Sequence, residues 1–315
     1  MSRLTLLTNP DKCNLRCPLC FLNQRGRPFG MGEMPFEVAK AAIDKFAYDD
    51  ACDASGPSGK GLREVIPSTM GEPLLYSKFG ELLDYCSARK IPLNLTTNGS
   101  FPGIWGTDAG MRCLLLACSD IKVSCMGFDA PAFDEMMPGT TFDCWRGNVE
   151  RLLDVARSLQ GNAATGEKTA TVSLQVTLHK KLLRCAQEIL RWAESAGVAR
   201  IKWNLPVFLS GARGLCDEYG IDESAVRELR GLLKSPRVRC EGSLFFGDGL
   251  RGHFPQGKSP AGEMPAGNGT CEIFRDEIWI LPDGTEEHCP NPERRFGDRA
   301  SVGASCEGCV LFRQA

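Results

Sequence analysis

The segment TVSLQVTL sets Val172, Leu174, Val176 and Leu178 against Ser173, Gln175 and Thr177. Strict alternation of this kind belongs to a strand with one apolar and one polar face. It is one of six strand candidates, at Arg3–Thr8, Arg63–Ser68, Pro92–Thr97, Asp120–Cys125, Thr169–Leu178 and Arg200–Pro206. Amphipathic stretches suited to helices fall between them, near residues 35–50, 77–89, 108–118, 142–159 and 182–196. A sixth follows residue 221, where Asp222 in IDESAVRELRGLL is placed to cap the free amides of a first turn. Strands and helices taking turns predict a parallel α/β fold, here a partial (β/α)6 TIM-like barrel.

The polar face gathers Asn94, Thr96, Asn98, Lys122, Ser124, Ser173, Gln175, Thr177, Lys202 and Asn204. A closed eight-stranded barrel fills its interior with branched apolar side chains. So polar an inner face predicts a cavity open to ligands. The alternation stops near residue 236, and a Gly-, Pro- and polar-rich stretch runs from Gly242 to Gly269. FRDEIWILPDGTEEHC then reads as a β-hairpin turning at Pro282-Asp283-Gly284. The expected division is a barrel domain over residues 1–235 and a small C-terminal β-hairpin domain over 236–315.

With 37 Lys+Arg against 39 Asp+Glu in 315 residues, the chain has a net charge of −2 and shows no basic footprint for nucleic acid. The N-terminus has no signal-peptide apolar region, and no stretch reaches the roughly 18 apolar residues of a membrane span. A cytoplasmic protein is expected. Its 16 cysteines are then poor material for disulfides and better material for metal or redox chemistry. Seven are grouped: Cys13, Cys17 and Cys20 near the start, and Cys271, Cys289, Cys306 and Cys309 near the end.

CNLRCPLC has the spacing C-x3-C-x2-C, three thiolates on one loop with no fourth ligand nearby. A 4Fe–4S cluster held by three cysteines keeps one iron open to an external ligand, whereas a structural zinc site wants four ligands. The spacing resembles the signature of the radical S-adenosylmethionine (SAM) superfamily, and nearly the whole chain is similar to members with a C-terminal auxiliary-cluster domain of the SPASM or twitch type. That resemblance implies that SAM chelates the open iron and is cleaved to a 5′-deoxyadenosyl radical that abstracts a substrate hydrogen. It also implies a reducing partner such as flavodoxin or ferredoxin.

Met70-Gly71-Glu72-Pro73 resembles the family's GGEP element, which contacts the SAM amino group; Met70 stands where the family has its first Gly. Leu19 departs too, since the family places an aromatic just before the third Cys. In LNLTTNG, Thr97 and Asn98 correspond to the segment around the SAM methionine. Ser124, Gln175, Asn204 and Leu205 fall where ribose, carboxylate and adenine contacts are expected from the resemblance.

Cys271, Cys289, Cys306 and Cys309 are separated by 17, 16 and 2 residues. DGTEEHCPN followed by CEGC resembles the twitch variety, which implies one auxiliary 4Fe–4S cluster; four thiolates can equally close a zinc site. Peptide-modifying members of the family commonly carry an extra leader-binding domain before the barrel, and only twelve residues precede Cys13, which makes a ribosomal peptide the less expected substrate. The resemblance to compact members with one auxiliary cluster implies a small polyhydroxylated molecule (sugar, aminocyclitol or nucleoside of a natural-product pathway), with oxidation, epimerisation, decarboxylation or elimination as outcome. A peptide maturase is the alternative, and a non-catalytic zinc- or iron–sulfur-binding protein the alternative of another class. Lys122, Lys202 and Arg213 are candidate anchors for a substrate carboxylate or phosphate, and Cys125, Cys144 and Cys240 candidate hydrogen donors. His179, His253 and His288 show no metal-site spacing, and one at most is expected to act as acid or base.

Overall fold

The computed structural model describes residues 3–48, 62–68, 70–161, 169–209, 212–245 and 277–287. Cys271, Cys289, Cys306, Cys309, His253 and His288 lie outside the described residues. The strands are β1 (Arg3–Leu6), β2 (Glu64–Pro67), β3 (Leu93–Thr97), β4 (Cys118–Cys125), β5 (Thr171–Thr177), β6 (Arg200–Asn204), β7 (Arg239–Glu241), β8 (Glu277–Ile280) and β9 (Glu286–Glu287). The helices are α1 (Phe21–Arg25), α2 (Phe36–Tyr48), α3 (Phe79–Ala88), α4 (Asp108–Ala117), α5 (Ala130–Met136), α6 (Phe142–Gly161), α7 (Ala186–Ala196), α8 (Arg213–Tyr219) and α9 (Glu223–Leu232).

All six expected strands are present, side by side in chain order and parallel, with α2, α3, α4, α6, α7 and α9 on the six expected helical stretches. This is the α/β, partial TIM-like barrel. Two strands extend the sheet: β7 pairs parallel with β6, and β8 parallel with β1. β8 and β9 form the expected hairpin, Ile280 opposite Glu286. Asp222 caps α9, its carboxylate accepting from the Ala225 amide at 2.8 Å. The short helices α1, α5 and α8 have five, seven and seven residues, too few to imprint a helical period on the sequence.

Register fixes the two faces. Lys122 lies opposite Ser173, Ser124 opposite Gln175, Gln175 opposite Lys202 and Thr177 opposite Asn204, so these polar side chains share one side. On the other side Leu95, Ile121, Val123, Leu174, Val176, Ile201 and Trp203 are wholly buried in the main core.

The interior is not an open cavity along its length, and this corrects the expectation. Its N-terminal half is filled by a charged network. Arg3 pairs with Glu64 at 2.7 Å, and Glu64 accepts from Asn94 at 2.8 Å. Lys122 donates to Asn94 and lies 3.9 Å from Asp120. Asp120 accepts from Ser173 Oγ at 2.6 Å and Thr171 Oγ1 at 2.7 Å, and it pairs with Arg200. Arg200 and Lys202 both reach Glu241, at 3.1 and 3.7 Å. Buried charges persist only when partnered, and these strands supply both signs at one level.

Candidate functional site

The network leaves the C-terminal ends of the strands for ligands, the end where open parallel α/β sheets bind them. The loop after β1 holds Cys13, Cys17 and Cys20. Their thiols do not converge on a point: among the described residues no group of three His, Cys, Asp or Glu is set to hold a single metal ion. They line instead a cavity of about 180 Å³, with Asp11, Leu15, Arg16 and Arg27 among its other walls. Burial pushes the Cys17 thiol up to about 12, helped by its two neighbours, and burial raises Cys13 and Cys20 as well. Unloaded, the three therefore stay protonated; a metal centre is the kind of charge that draws such protons off. Three thiols around a cavity of this size, with no fourth thiol or imidazole in its wall among the described residues, fit a cluster with one uncommitted iron better than one ion.

The loop after β2 is stitched to the cysteine loop. The Glu72 amide donates to the Lys12 carbonyl at 2.9 Å, and Asn9 Nδ2 donates to the Glu72 carbonyl at 2.7 Å. Gly71 makes this approach possible. Its φ is +74°, and a Cβ there would lie 2.2 Å from the Asn9 carbonyl oxygen. Pro73 starts a short 3-10 turn.

The Glu72 side chain is buried. It accepts from Thr97 Oγ1 at 2.8 Å, from the Asn98 amide at 2.7 Å and from the Leu74 amide at 3.2 Å. Desolvation still dominates and raises its pKa to about 7. Thr97 is thereby committed to the frame, while Asn98 is held beside the cysteines, its Nδ2 3.8 Å from Cys13 Sγ. Leu19 and Met70, the two departures from the family pattern, are packing residues here. Leu19 packs in a cluster with Met136 and Tyr219. Met70 is buried with Leu7, Trp279 and Leu281, which binds the β8 hairpin to this end.

On the polar face, Thr96, level with Lys122, and Ser124, Gln175 and Thr177 above it are partly exposed, and their side chains have no hydrogen-bond partner among the described residues. Asn204 is held more firmly: its Oδ1 accepts from the Ser243 amide at 3.4 Å, and the Leu205 amide donates to Ser243 Oγ at 2.8 Å. Of the other candidates, Lys122 and Lys202 belong to the lower network, and burial lowers the Lys122 pKa to about 8. Arg213 is exposed at the start of α8. Cys125 and Cys240 fall on the helix-facing parity of their strands, opposite to Ser124 and Glu241, and Cys144 is exposed on the first turn of α6. His179 is buried, its Nε2 2.6 Å from the Met126 carbonyl oxygen, and burial lowers its pKa. Sequence reasoning missed Asn9, Lys12 and Arg16; only Asn9, polar and directly after the β1 candidate, carried any signal.

No protein-family profile and no curated protein matches this chain. Solved structures do. SuiB of Streptococcus suis bound to S-adenosylmethionine superposes with a TM-score of 0.59 at 17% identity, over 99% of this chain and 71% of that one. SuiB bound to precursor peptide SuiA gives 0.58 at 16%, over 98% and 63%. Native anSMEcpe with bound AdoMet gives 0.58 at 16%, over 100% and 88%. The fold is the one these S-adenosylmethionine-bound structures share. At these identities the likeness concerns the fold, and the chain spans under two thirds of SuiB in its free and SuiA-bound structures, 60% and 63%. The cysteine loop, the Gly-Glu-Pro turn and Asn98 follow the consecutive strands β1, β2 and β3, with Thr97 the last residue of β3.

Proposed function

We propose that this chain is a radical SAM enzyme whose substrate is a peptide. The observation that carries the first part is the cavity walled by Cys13, Cys17 and Cys20, beside which Glu72 and Asn98 are fixed by hydrogen bonds. Bound there, a reduced 4Fe–4S cluster and SAM supply a 5′-deoxyadenosyl radical, the hydrogen-abstracting agent of the family. The chain's own residues frame that chemistry. Asn9 and Lys12 hold the Gly-Glu-Pro turn against the cysteine loop, and Glu72 holds Thr97 and Asn98. Thr96, Ser124, Gln175 and Thr177 offer free hydroxyl and amide groups to the polar parts of SAM and substrate. The lower charge network fills the barrel beneath them with paired side chains.

The peptide reading replaces the small polyhydroxylated substrate expected from the sequence. Its support is that solved structures of this fold hold peptides: SuiB with precursor peptide SuiA, and anSMEcpe with a Cp18Cys peptide. An auxiliary cluster on Cys271, Cys289, Cys306 and Cys309 is part of the proposal, on the sequence resemblance.

The test is anaerobic. Iron and sulfide are reconstituted, dithionite and SAM are added, and 5′-deoxyadenosine is measured. Formation of deoxyadenosine, accelerated by a cognate peptide and not by sugars or nucleosides, is expected. A chain that holds zinc and releases none is no radical SAM enzyme; one accelerated by a sugar or nucleoside alone restores the small-molecule substrate.

A further inference from the structure

Asn98 Nδ2 lies 3.8 Å from Cys13 Sγ and 2.9 Å from Asn14 Oδ1. The orientation of this amide is set by its other end, because Asn98 Oδ1 accepts from the Ser100 amide at 2.9 Å. A flipped amide would leave the Ser100 N–H facing another N–H. Both Nδ2 hydrogens therefore have a direction, one toward Asn14 and one toward the sulfur. The Asn98 main chain is anchored as well, through its amide to Glu72 Oε2 at 2.7 Å. Cys13 Sγ accepts a second bond, from the Leu15 amide at 3.4 Å. Leu15 reaches it from the cysteine loop itself, two residues on, whereas Asn98 reaches it from the loop that follows β3, 85 residues away.

We infer that Asn98 is a redox-tuning residue, its side-chain N–H raising the reduction potential of the centre held by Cys13, Cys17 and Cys20. This rests on the radical SAM reading. Reduction there adds one electron, from an external low-potential one-electron donor, and transfers no atom. The added negative charge is shared by the thiolate sulfurs, and an N–H aimed at one of them stabilises the reduced form more than the oxidised form. Asn98 thus acts through Cys13 rather than on a substrate. Its rigid mounting matters, because a donor fixed at three points cannot swing away when the charge changes.

The experiment compares the reconstituted unaltered chain, Asn98→Ala, Asn98→Asp and Asn14→Ala by redox titration followed by EPR, reading the signal that responds to SAM. Asn98→Ala is expected to keep its iron and to titrate at a lower potential, with the reduced fraction at a fixed potential falling roughly tenfold, equivalent to about 59 mV for a one-electron couple. Asn98→Asp keeps the acceptor for Ser100, loses the N–H and adds charge, so its shift is larger in the same direction. Asn14→Ala removes the neighbouring contact, leaves the N–H on sulfur and keeps the original potential. Unchanged potentials in both Asn98 variants with iron intact overturn the inference. So does loss of iron in both, which makes the role structural, and so does an Asn14→Ala shift equal to that of Asn98→Ala. If the unaltered chain shows no SAM-responsive signal, the radical SAM reading itself has failed, a result distinct from all of these.

Discussion

Asn9 donates its side-chain amide to the main-chain carbonyl of Glu72 at 2.7 Å, across 63 residues of sequence. That bond and the Glu72-to-Lys12 bond join two loops into one rigid rim, and Gly71 is the residue that lets them meet. Gly71→Ala places a methyl 2.2 Å from the Asn9 carbonyl oxygen at a positive φ. The expected cost is on the order of 1–3 kcal/mol of stability, read by urea unfolding, together with weaker SAM binding by the reconstituted chain. Wild-type stability and affinity in this variant would show that the rim is not built this way.

Glu72 gives a pH prediction. Its folded pKa, about 7, stands above the ordinary 4.5 because burial disfavours the carboxylate. The native state therefore holds the proton more tightly than the unfolded chain. This contribution is fully present below pH 4.5 and is lost as pH rises to about 7, a decline of up to roughly 3 kcal/mol. Urea unfolding of the metal-free chain from pH 4 to 8 should show that decline relative to Glu72→Gln. Parallel curves for the two proteins would mean that the carboxyl titrates normally.

The lower network separates structure from chemistry. Asp120→Ala removes the acidic partner of the buried Lys122 and leaves Arg200 with Glu241 alone, with an expected loss of about 3–5 kcal/mol. Lys122→Met leaves Asp120 with Arg200, Ser173 and Thr171 and should cost far less. Both variants should bind SAM with unchanged affinity once folded and loaded. A Lys122→Met protein that is stable but loses substrate binding would return Lys122 to the role of substrate anchor.

Met70→Gly restores the family's first glycine at a position where the side chain is 2% exposed and packed with Leu7, Trp279 and Leu281. Deleting a buried side chain of this size should destabilise the chain by about 2–5 kcal/mol, seen as a lower thermal midpoint. An unchanged midpoint would show that the β8 hairpin is not held through Met70.

These contrasts mark what could be read from the chain beforehand. The six strands were legible because a two-residue period persists in segments such as 171–178, and the cysteine loop because its spacing is local. β7 was not legible, since three residues carry no period. The charge network was missed because its members sit near strand starts, and their pairing depends on register between strands far apart in sequence, such as β1 with β2 and β6 with β7. The polar face was read correctly and its purpose only in part: Asn94, Lys122 and Ser173 are spent on Glu64 and Asp120, whereas Ser124 and Gln175 stay uncommitted. Met70 and Leu19 look like lapses in a motif until the side chains around them are seen.

Cys13, Cys17 and Cys20 are proposed to hold the centre at which SAM is cleaved. Replacing all three by Ala in the reconstituted, dithionite-reduced chain tests it most directly, with iron and 5′-deoxyadenosine measured on the same sample. Loss of about four Fe per chain together with all deoxyadenosine is predicted. Deoxyadenosine formation that survives the triple replacement would contradict the account.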